Sequence, residues 1–381
     1  VARIYALTDV GRSREHNEDT FLVADLESGA ALEFAHGHLE ITPDAHGLLF
    51  MVADGMGGAA SGELASSMAS TLVLDALRAS WTAAAPSVGT FTESLRDATV
   101  NANARIHQYA REYPEHRGMG TTATIAGLLG DRLYVVQVGD SRAYLVREGT
   151  AYQLTKDQSL MQRLVEAGEM TPEEAEASDR RNIILQALGP EAHVTVDLTH
   201  QQVRRGDTLI LCSDGLSGLV KADEIAWIAS GEESVRGICA RLIERANQRG
   251  GPDNITVVAA RFDGDALEAT SSSDTTGYTA FPLAGTLNDE SRVPTPLPPR
   301  KRAPIKSDPT REIALLTPVP APPVLADVDD AFAQTQVPDP VELGAPEPVV
   351  AQRREKVQPV YLLLASLALA AALWTAWMLF R

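Results

Sequence analysis

The chain has 381 residues, room for two ordinary domains or for one domain with long appendages. Lys and Arg number 33 against 51 Asp and Glu, a formal charge of -18, and this argues against nucleic acid as a partner, because a phosphate backbone is bound by clustered cations. Cys212 and Cys239 are the only two cysteines, too few for a disulfide framework or a thiolate zinc site, and they read as reduced thiols of a cytosolic domain. The opening Val1-Ala2-Arg3-Ile4 leads straight into patterned sequence, without the marks of a cleavable secretory signal.

Along residues 1–262, β-branched and apolar runs predict strands at Ile4–Leu7, Thr20–Ala24, Leu48–Ala53, Thr121–Leu129, Arg132–Val138, Arg142–Arg147, Val194–Thr199, Asp207–Ser213 and Ile255–Arg261. Helical spacing predicts helices over Ser61–Ala79, Thr92–Tyr113 and Glu232–Gln248. Strands come in runs rather than alternating with helices, which implies an α+β class with mostly antiparallel sheets. The polar stretch Thr155–Leu188 carries two short helical patterns, and Thr171-Pro172-Glu173-Glu174 marks a helix start.

Composition changes after residue 262. Only six of the 22 prolines precede it; the other sixteen lie between Pro282 and Pro359. Proline removes amide donors and fixes φ, so residues 263–359 read as a disordered linker with a basic juxtamembrane end at Arg353, Arg354 and Lys356. Residues 360–380 hold 21 uncharged side chains, VYLLLASLALAAALWTAWMLF, enough for a helix of about 30 Å that crosses a bilayer. Tyr361, Trp374 and Trp377 suit the interfaces, and the flanking cations place the N-terminal side in the cytoplasm. The expectation is a single-pass anchor in the cell membrane with the large domain inside the cell.

Several motifs compete for attention. Gly55-Met56-Gly57-Gly58-Ala59-Ala60 has dinucleotide-loop spacing, but the acid expected about twenty residues later falls inside a predicted helix. Cys239 to Arg245 has the spacing of a cysteine phosphatase, yet its neighbours Val235, Ile238, Leu242 and Ile243 are helical, so its amides are already engaged. His36, His38 and His46 share a loop without a patterned partner, and Asn254-Ile255-Thr256 fits a glycosylation sequon inside a strand.

The acids at strand ends are more informative. Glu18-Asp19 precedes a strand, Asp54-Gly55 and Asp214-Gly215 end hydrophobic strands, Asp140 follows another, and Asp253-Asn254 starts one. Asp-Gly pairs are often only turns. Five acidic sites at strand ends, with an Arg nearby, can instead converge, and converging carboxylates call for cations. Oxygen donors alone favour hard ions such as Mg²⁺ or Mn²⁺ over Zn²⁺.

Six motifs in order then carry a resemblance: Asp9-x-Gly11-x-x-Arg14-x-x-Asn17-Glu18-Asp19, Val52-Ala53-Asp54-Gly55-Met56-Gly57-Gly58, Gly118-Met119-Gly120-Thr121-Thr122, Val138-Gly139-Asp140-Ser141-Arg142, Ser213-Asp214-Gly215-Leu216 and Gly251-Pro252-Asp253-Asn254-Ile255-Thr256. From Ile4 to about Phe262 the chain resembles the metal-dependent protein phosphatase family, type 2C, in its bacterial form. The resemblance implies a four-layer α-β-β-α sandwich of two antiparallel sheets. It implies two Mn²⁺ or Mg²⁺ ions bridged by Asp54, with Gly55 lending its backbone carbonyl, Asp214 and Asp253 completing one ion and Glu18 at the second. Asp140 with Asp214 matches a third metal position, with Asn182 as a weaker partner there. Asp19 corresponds to a supporting acid that orients water, and Arg14 to the guanidinium that grips the substrate phosphate.

The implied reaction is hydrolysis of phosphoserine and phosphothreonine in phosphoproteins by a water activated between two cations, with Ser/Thr kinases and their substrates as partners and a monomeric catalytic domain. Met56 stands where animal-type relatives carry a histidine, so the proton donor to the leaving group has no assigned side chain. The stretch Thr155–Leu188 resembles the family's flap and is expected to shape substrate choice. The same fold could serve as a phosphoprotein-binding scaffold without turnover, and the same carboxylates as a calcium-binding module.

Overall fold

The computed structural model describes residues 1–282, apart from 35, 36, 82–85, 179 and 272. The chain opens with strands β1 (Ala2–Asp9), β2 (Asp19–Asp25), β3 (Ala30–Ala31), β4 (Leu39–Ile41) and β5 (Leu48–Met56), then two long helices, α1 (Ala59–Ser80) and α2 (Val88–Glu112). Strands β6 (Gly120–Thr121), β7 (Ala123–Leu129), β8 (Arg132–Val138), β9 (Arg142–Arg147) and β10 (Thr150–Gln153) follow. The short helices α3 (Leu160–Glu166) and α4 (Pro172–Glu176) form the flap, and Thr171 opens α4 with a capping box to Glu174. Strands β11 (Asp197–Gln202) and β12 (Thr208–Cys212), helices α5 (Asp214–Ser217), α6 (Ala222–Gly231) and α7 (Val235–Gln248), and strand β13 (Ile255–Phe262) complete the order.

Two antiparallel sheets result. One runs β10-β9-β12-β13-β1-β4 and the other β11-β8-β7-β5-β2-β3, with β6 paired to β5. Their inner faces meet through alternate residues. Leu48, Phe50 and Val52 of β5 face Val258 and Ala260 of β13 between the sheets. Leu49, Met51 and Ala53, one residue out of phase, lie under α1 and α2 with Leu77, Trp81 and Phe91. The other outer face packs Ile255, Val257 and Ala259 against Ile225, Ile238 and Leu242 of α6 and α7. Period-two burial on both faces of central strands makes the expected α-β-β-α layering, and each such buried side chain contributes about 1.5–3 kcal/mol. Cys239 is buried on α7, where its thiol meets the carbonyls of Tyr5 and Val257, so the cysteine-phosphatase spacing is a helix-packing feature.

The fold runs past the expected boundary at 262. Residues 263–282 were expected to begin a disordered linker; instead the described ones among them form a strap on the domain. Asp263 donates its amide to the Val1 carbonyl, and Arg205 donates to the carbonyl of Glu268. Farther on, His200 donates to Thr279 and Phe281 donates to Leu198, so the strap pairs with the outer strand β11. The Phe281 ring meets Tyr134 and His200 edge-on. An edge strand that is covered in this way has fewer free amides to offer another chain. The remainder of the expected linker, from residue 283, and the expected span 360–380 lie outside the described residues. Among the described residues, no helix is long and apolar enough to cross a membrane.

Candidate active site

Strand pairing gathers the acids. Asp19 opens β2 and stands directly opposite Asp54 near the end of β5. In the other sheet, β12 and β13 pair Cys212 with Val257, so Ser213-Asp214 at one strand end adjoins Asp253-Asn254 at the other strand start. Asp140 follows β8 through Gly139. The loop from β1 to β2 carries Arg14 and Glu18 across this end of the sandwich. Asn254 staples that loop: its side-chain amide donates to the carbonyls of Val10 and His16, and its oxygen accepts from the Glu18 amide at 2.9 Å.

Close approach makes glycine necessary at two points. A Cβ on Gly62, in the first turn of α1, would lie 1.8 Å from Glu18 Oε2; one on Gly215 would lie 1.9 Å from the Asn254 carbonyl oxygen. The first helix turn and the Asn254 loop therefore come against their neighbours at distances only a missing side chain permits.

Asp19 is held firmly. Its Oδ2 accepts from Ser213 Oγ and from Thr256 Oγ1, both at 2.7 Å, while its buried Oδ1 has no partner. Around Asp54 the scaffold is backbone and hydroxyl: its amide donates to Thr122 Oγ1, and its carbonyl accepts from the Thr122 amide and Thr121 Oγ1. Thr122 also bonds Ser141, next to Asp140, at 2.8 Å. The motif residues Thr121, Thr122, Ser141, Ser213, Thr256 and Asn254 thus position the acids, a role that sequence reasoning did not assign. Their signal was present, since each adjoins an acid or lies within the same short motif.

Burial and crowding alter these acids. Asp19 is pushed up to about 7, first by burial and then by the charges of Asp214 and Asp253, against the two hydroxyl bonds. Asp140 is pushed up to about 8 by burial, with Asp214 and Asp157 adding to it. Asp54 lies well above the ordinary carboxylate range because it is buried among Asp19, Asp214, Asp140 and Asp253. Asp214 is raised by burial and by Asp253, and its hydrogen bond with Asp54 opposes the rise. Glu18 is raised by burial, with Arg14 opposing. Arg14 donates to Asp253 Oδ2 at 2.8 Å and keeps half its side chain in solvent. The expected phosphate ligand is therefore paired with one of the acids.

A cavity of about 780 Å³ opens beside these groups, between the flap and the strand ends, and Arg14, Asp140, Asp214, Gly215 and Asp253 reach its wall together with Asn182. Met161 and Val165 of α3 and Pro172 and Ala175 of α4 supply its apolar side. Arg142 fixes the flap's root: its Nε and Nη2 grip the Asp157 carboxylate at 2.7 to 3.1 Å, and its Nη1 donates to the Tyr144 hydroxyl.

The histidine loop behaves differently. His46 pairs with Glu27 and packs edge-on against Trp81, and Glu27, Asp44 and His46 place donor atoms within 4.8 Å of one another at the surface. No three of the described strand-end acids draw together that tightly. They stand around the end of the cavity, with the ionised forms of Glu18, Asp19, Asp54, Asp140 and Asp214 disfavoured and one buried oxygen of Asp19 unbonded. An all-oxygen donor set short of positive charge fits hard divalent cations.

Residues 35–255 match the family model described as Protein phosphatase 2C. The chain belongs to the protein phosphatase 2C family. It is similar to the serine/threonine phosphatase stp of Listeria welshimeri, at 38% identity over 66% of this chain and 92% of that protein. It is similar also to the serine/threonine protein phosphatase PstP of Mycobacterium tuberculosis, at 40% identity over 68% of this chain and 45% of that one. The crystal structure of the Mycobacterium tuberculosis PstP phosphatase superposes with a TM-score of 0.57 at 38% identity, covering 69% of this chain and 99% of that one. A PstP catalytic domain solved in complex with two manganese ions gives a TM-score of 0.55 at 36% identity, over 69% of this chain and 99% of that one. The two-sheet architecture described above is thus the family's own.

Proposed function

We propose that this protein is a metal-dependent Ser/Thr protein phosphatase that hydrolyses phosphoserine and phosphothreonine esters in proteins, with membrane-associated Ser/Thr kinases and their substrates as its context. One observation carries the reading. Buried and half-buried carboxylates from four distant parts of the chain meet at one cavity end, with Arg14 and Arg142 offsetting only part of their charge. Asp54 with the Gly55 carbonyl, Glu18, Asp214 and Asp253 would hold two Mn²⁺ or Mg²⁺ ions, and Asp140 with Asp214 a third. Bound there, such ions supply positive charge beside a phosphoryl group and lower the pKa of water.

The chain's own residues do the rest. Arg14 turns its planar fork toward two phosphoryl oxygens and stabilises the charge that spreads over them in the transition state. Asp19 Oδ1, buried and unbonded, accepts a hydrogen bond from the attacking water and orients it. Thr121 and Thr122 hold the Asp54 backbone so that its carboxylate stays aimed at the site. Cysteine takes no part: burial pushes the Cys212 thiol up to about 12 and Cys239 higher still, so neither offers a thiolate nucleophile. With Met56 in place of a histidine, the leaving alkoxide takes its proton from water, and aryl phosphates should outpace a phosphoserine in a short peptide.

The test is hydrolysis of a phosphothreonine peptide with Mn²⁺ and with chelator. The reading expects turnover that is lost on chelation. A scaffold would bind the peptide without turnover, and a calcium module would bind Ca²⁺ tightly without turnover; either result would replace it. We propose also that residues 360–380 anchor the chain to the cell membrane with the catalytic domain in the cytoplasm, supported by their uncharged length and flanking cations. Release of the protein to the soluble fraction when 360–380 are deleted is the expected outcome.

A further inference from the structure

The strap, made of the described residues among 263–282, touches the flap's support at Tyr278. Tyr278 donates its hydroxyl to the Asp197 carboxylate at the start of β11, 3.0 and 3.1 Å from its two oxygens. Its ring lies under Lys156, with Nζ 4.5 Å from the ring centre. Lys156 in turn forms an ion pair with Glu166 at the last turn of α3, 3.4 Å away. The same helix presents Met161, Gln162 and Val165 to the cavity beside the acids. Lys156 also precedes Asp157, the carboxylate that Arg142 grips at the flap's root.

Each link is weak alone. An exposed ion pair between flexible side chains contributes little unless one partner is already fixed. Here the ring of Tyr278 fixes Lys156 from below, and the strap fixes the ring: Gly277 donates to Gln201 Oε1, and Thr276 Oγ1 accepts from Arg147. A cation held over an aromatic face loses less freedom when it forms its ion pair, because part of its ordering has already occurred. On the other side of the flap, α4 is tied by the exposed pair of Glu176 with Lys221, which has no comparable support.

We propose that Tyr278 is a positioning residue for the substrate cleft: through Lys156 and Glu166 it sets where α3 stands, and so the wall against which a phosphopeptide lies. This rests on the phosphatase reading and adds to it that the segment just beyond β13 takes part in substrate choice. A small aryl phosphate needs the acids and Arg14 but not the α3 wall. The two substrates therefore separate positioning from chemistry.

The experiment uses the full chain with Mn²⁺, a phosphothreonine peptide and an aryl phosphate. Replacing Tyr278→Leu should raise the peptide KM about three- to tenfold, with kcat and aryl phosphate turnover held within about twofold. Lys156→Met, at an exposed position, should give the same pattern, and the double variant should be no worse than either single one. Tyr278→Phe keeps the ring and loses the bonds to Asp197, so it should lower Tm and leave the peptide KM in place. The proposal is overturned if Tyr278→Leu leaves the peptide KM unchanged, if it slows both substrates by one factor, or if the two single effects add. Absence of aryl phosphate turnover in the unmutated chain would overturn the phosphatase reading itself.

Discussion

Strand β12 connects two clusters of buried charge that behave in opposite ways. Beyond its end lie the converging acids, of which Asp214, Asp54, Asp19 and Asp140 are raised by burial and by neighbouring carboxylates. Before its start lies Asp207, whose carboxylate takes Nε and Nη2 of Arg147 at 2.9 and 2.6 Å and the Arg204 amide at 2.7 Å. Arg204 itself forks onto Asp274 of the strap. The same side-chain chemistry thus serves two ends. With each carboxylate matched by a guanidinium, the second cluster binds the strap and the sheet into one body. With carboxylates gathered and few cations supplied, the first holds unfavourable charge until something positive arrives. A function that needs cations is purchased with local stability, as active sites commonly are.

That contrast can be broken from either side. The largest effect on stability should come from the matched cluster. Arg147 and Asp207 expose only 5% and 1% of their side chains, so Asp207→Ala leaves a buried guanidinium without its carboxylate. The expected loss is about 3–5 kcal/mol, read from denaturant unfolding of the metal-free protein. At the unmatched cluster the sign reverses. Asp54→Asn removes one of the crowded charges and should raise the Tm of the metal-free protein above that of the parent, while turnover falls by on the order of a hundred- to a thousandfold. A lowered Tm would mean that Asp54 is matched after all.

The pH dependence separates the clusters again. Asp19 and Asp140 titrate near 7 and 8 in the folded chain but near 4 when unfolded, so the native state holds the extra protons. Metal-free stability should therefore fall as pH rises from about 4 to about 8. Asp274 is drawn down to about 2, first by its hydrogen bond with Arg204, and its contribution is present above about 4 and lost as pH falls toward 2. Tm profiles of Asp140→Asn and Asp274→Asn should flatten the neutral and the acid limb respectively. The smallest effect concerns histidine. His116, bonded to Ser61 near the start of α1, should be replaceable by Gln with aryl phosphate turnover kept within about twofold, because the proposed reaction takes the leaving group's proton from water rather than from a histidine.

Much of this was legible in the chain. The acids stood out because each sits at the start or the end of an apolar run, and carboxylates at strand ends have few bland explanations once five recur. Central strands such as Leu48–Met56 were legible for the same reason: both faces are buried, so the run is continuous. What escaped notice lacks such signals. Helix α6 follows Lys221, whose side chain makes no cap, so no start residue announced it. Strand β11, expected at Val194–Thr199, lies at Asp197–Gln202 and is mostly polar, because its outer edge is covered by the strap rather than by a second layer of apolar side chains. The strap is mostly polar and glycine-containing, and a few scattered apolar residues such as Leu267, Tyr278 and Phe281 are what mark it as packed. The pairing of Arg14 with Asp253 was also invisible, since 239 residues separate them.

A single titration bears most directly on the account. Mn²⁺ is added to the metal-free protein at pH 8, and Tm and aryl phosphate turnover are followed in the same samples. The account predicts that both rise together and saturate together, because the ions that relieve the crowded carboxylates are the ions that hydrolysis needs. Turnover that persists in chelator, or a Tm that stays flat while turnover appears, would contradict it.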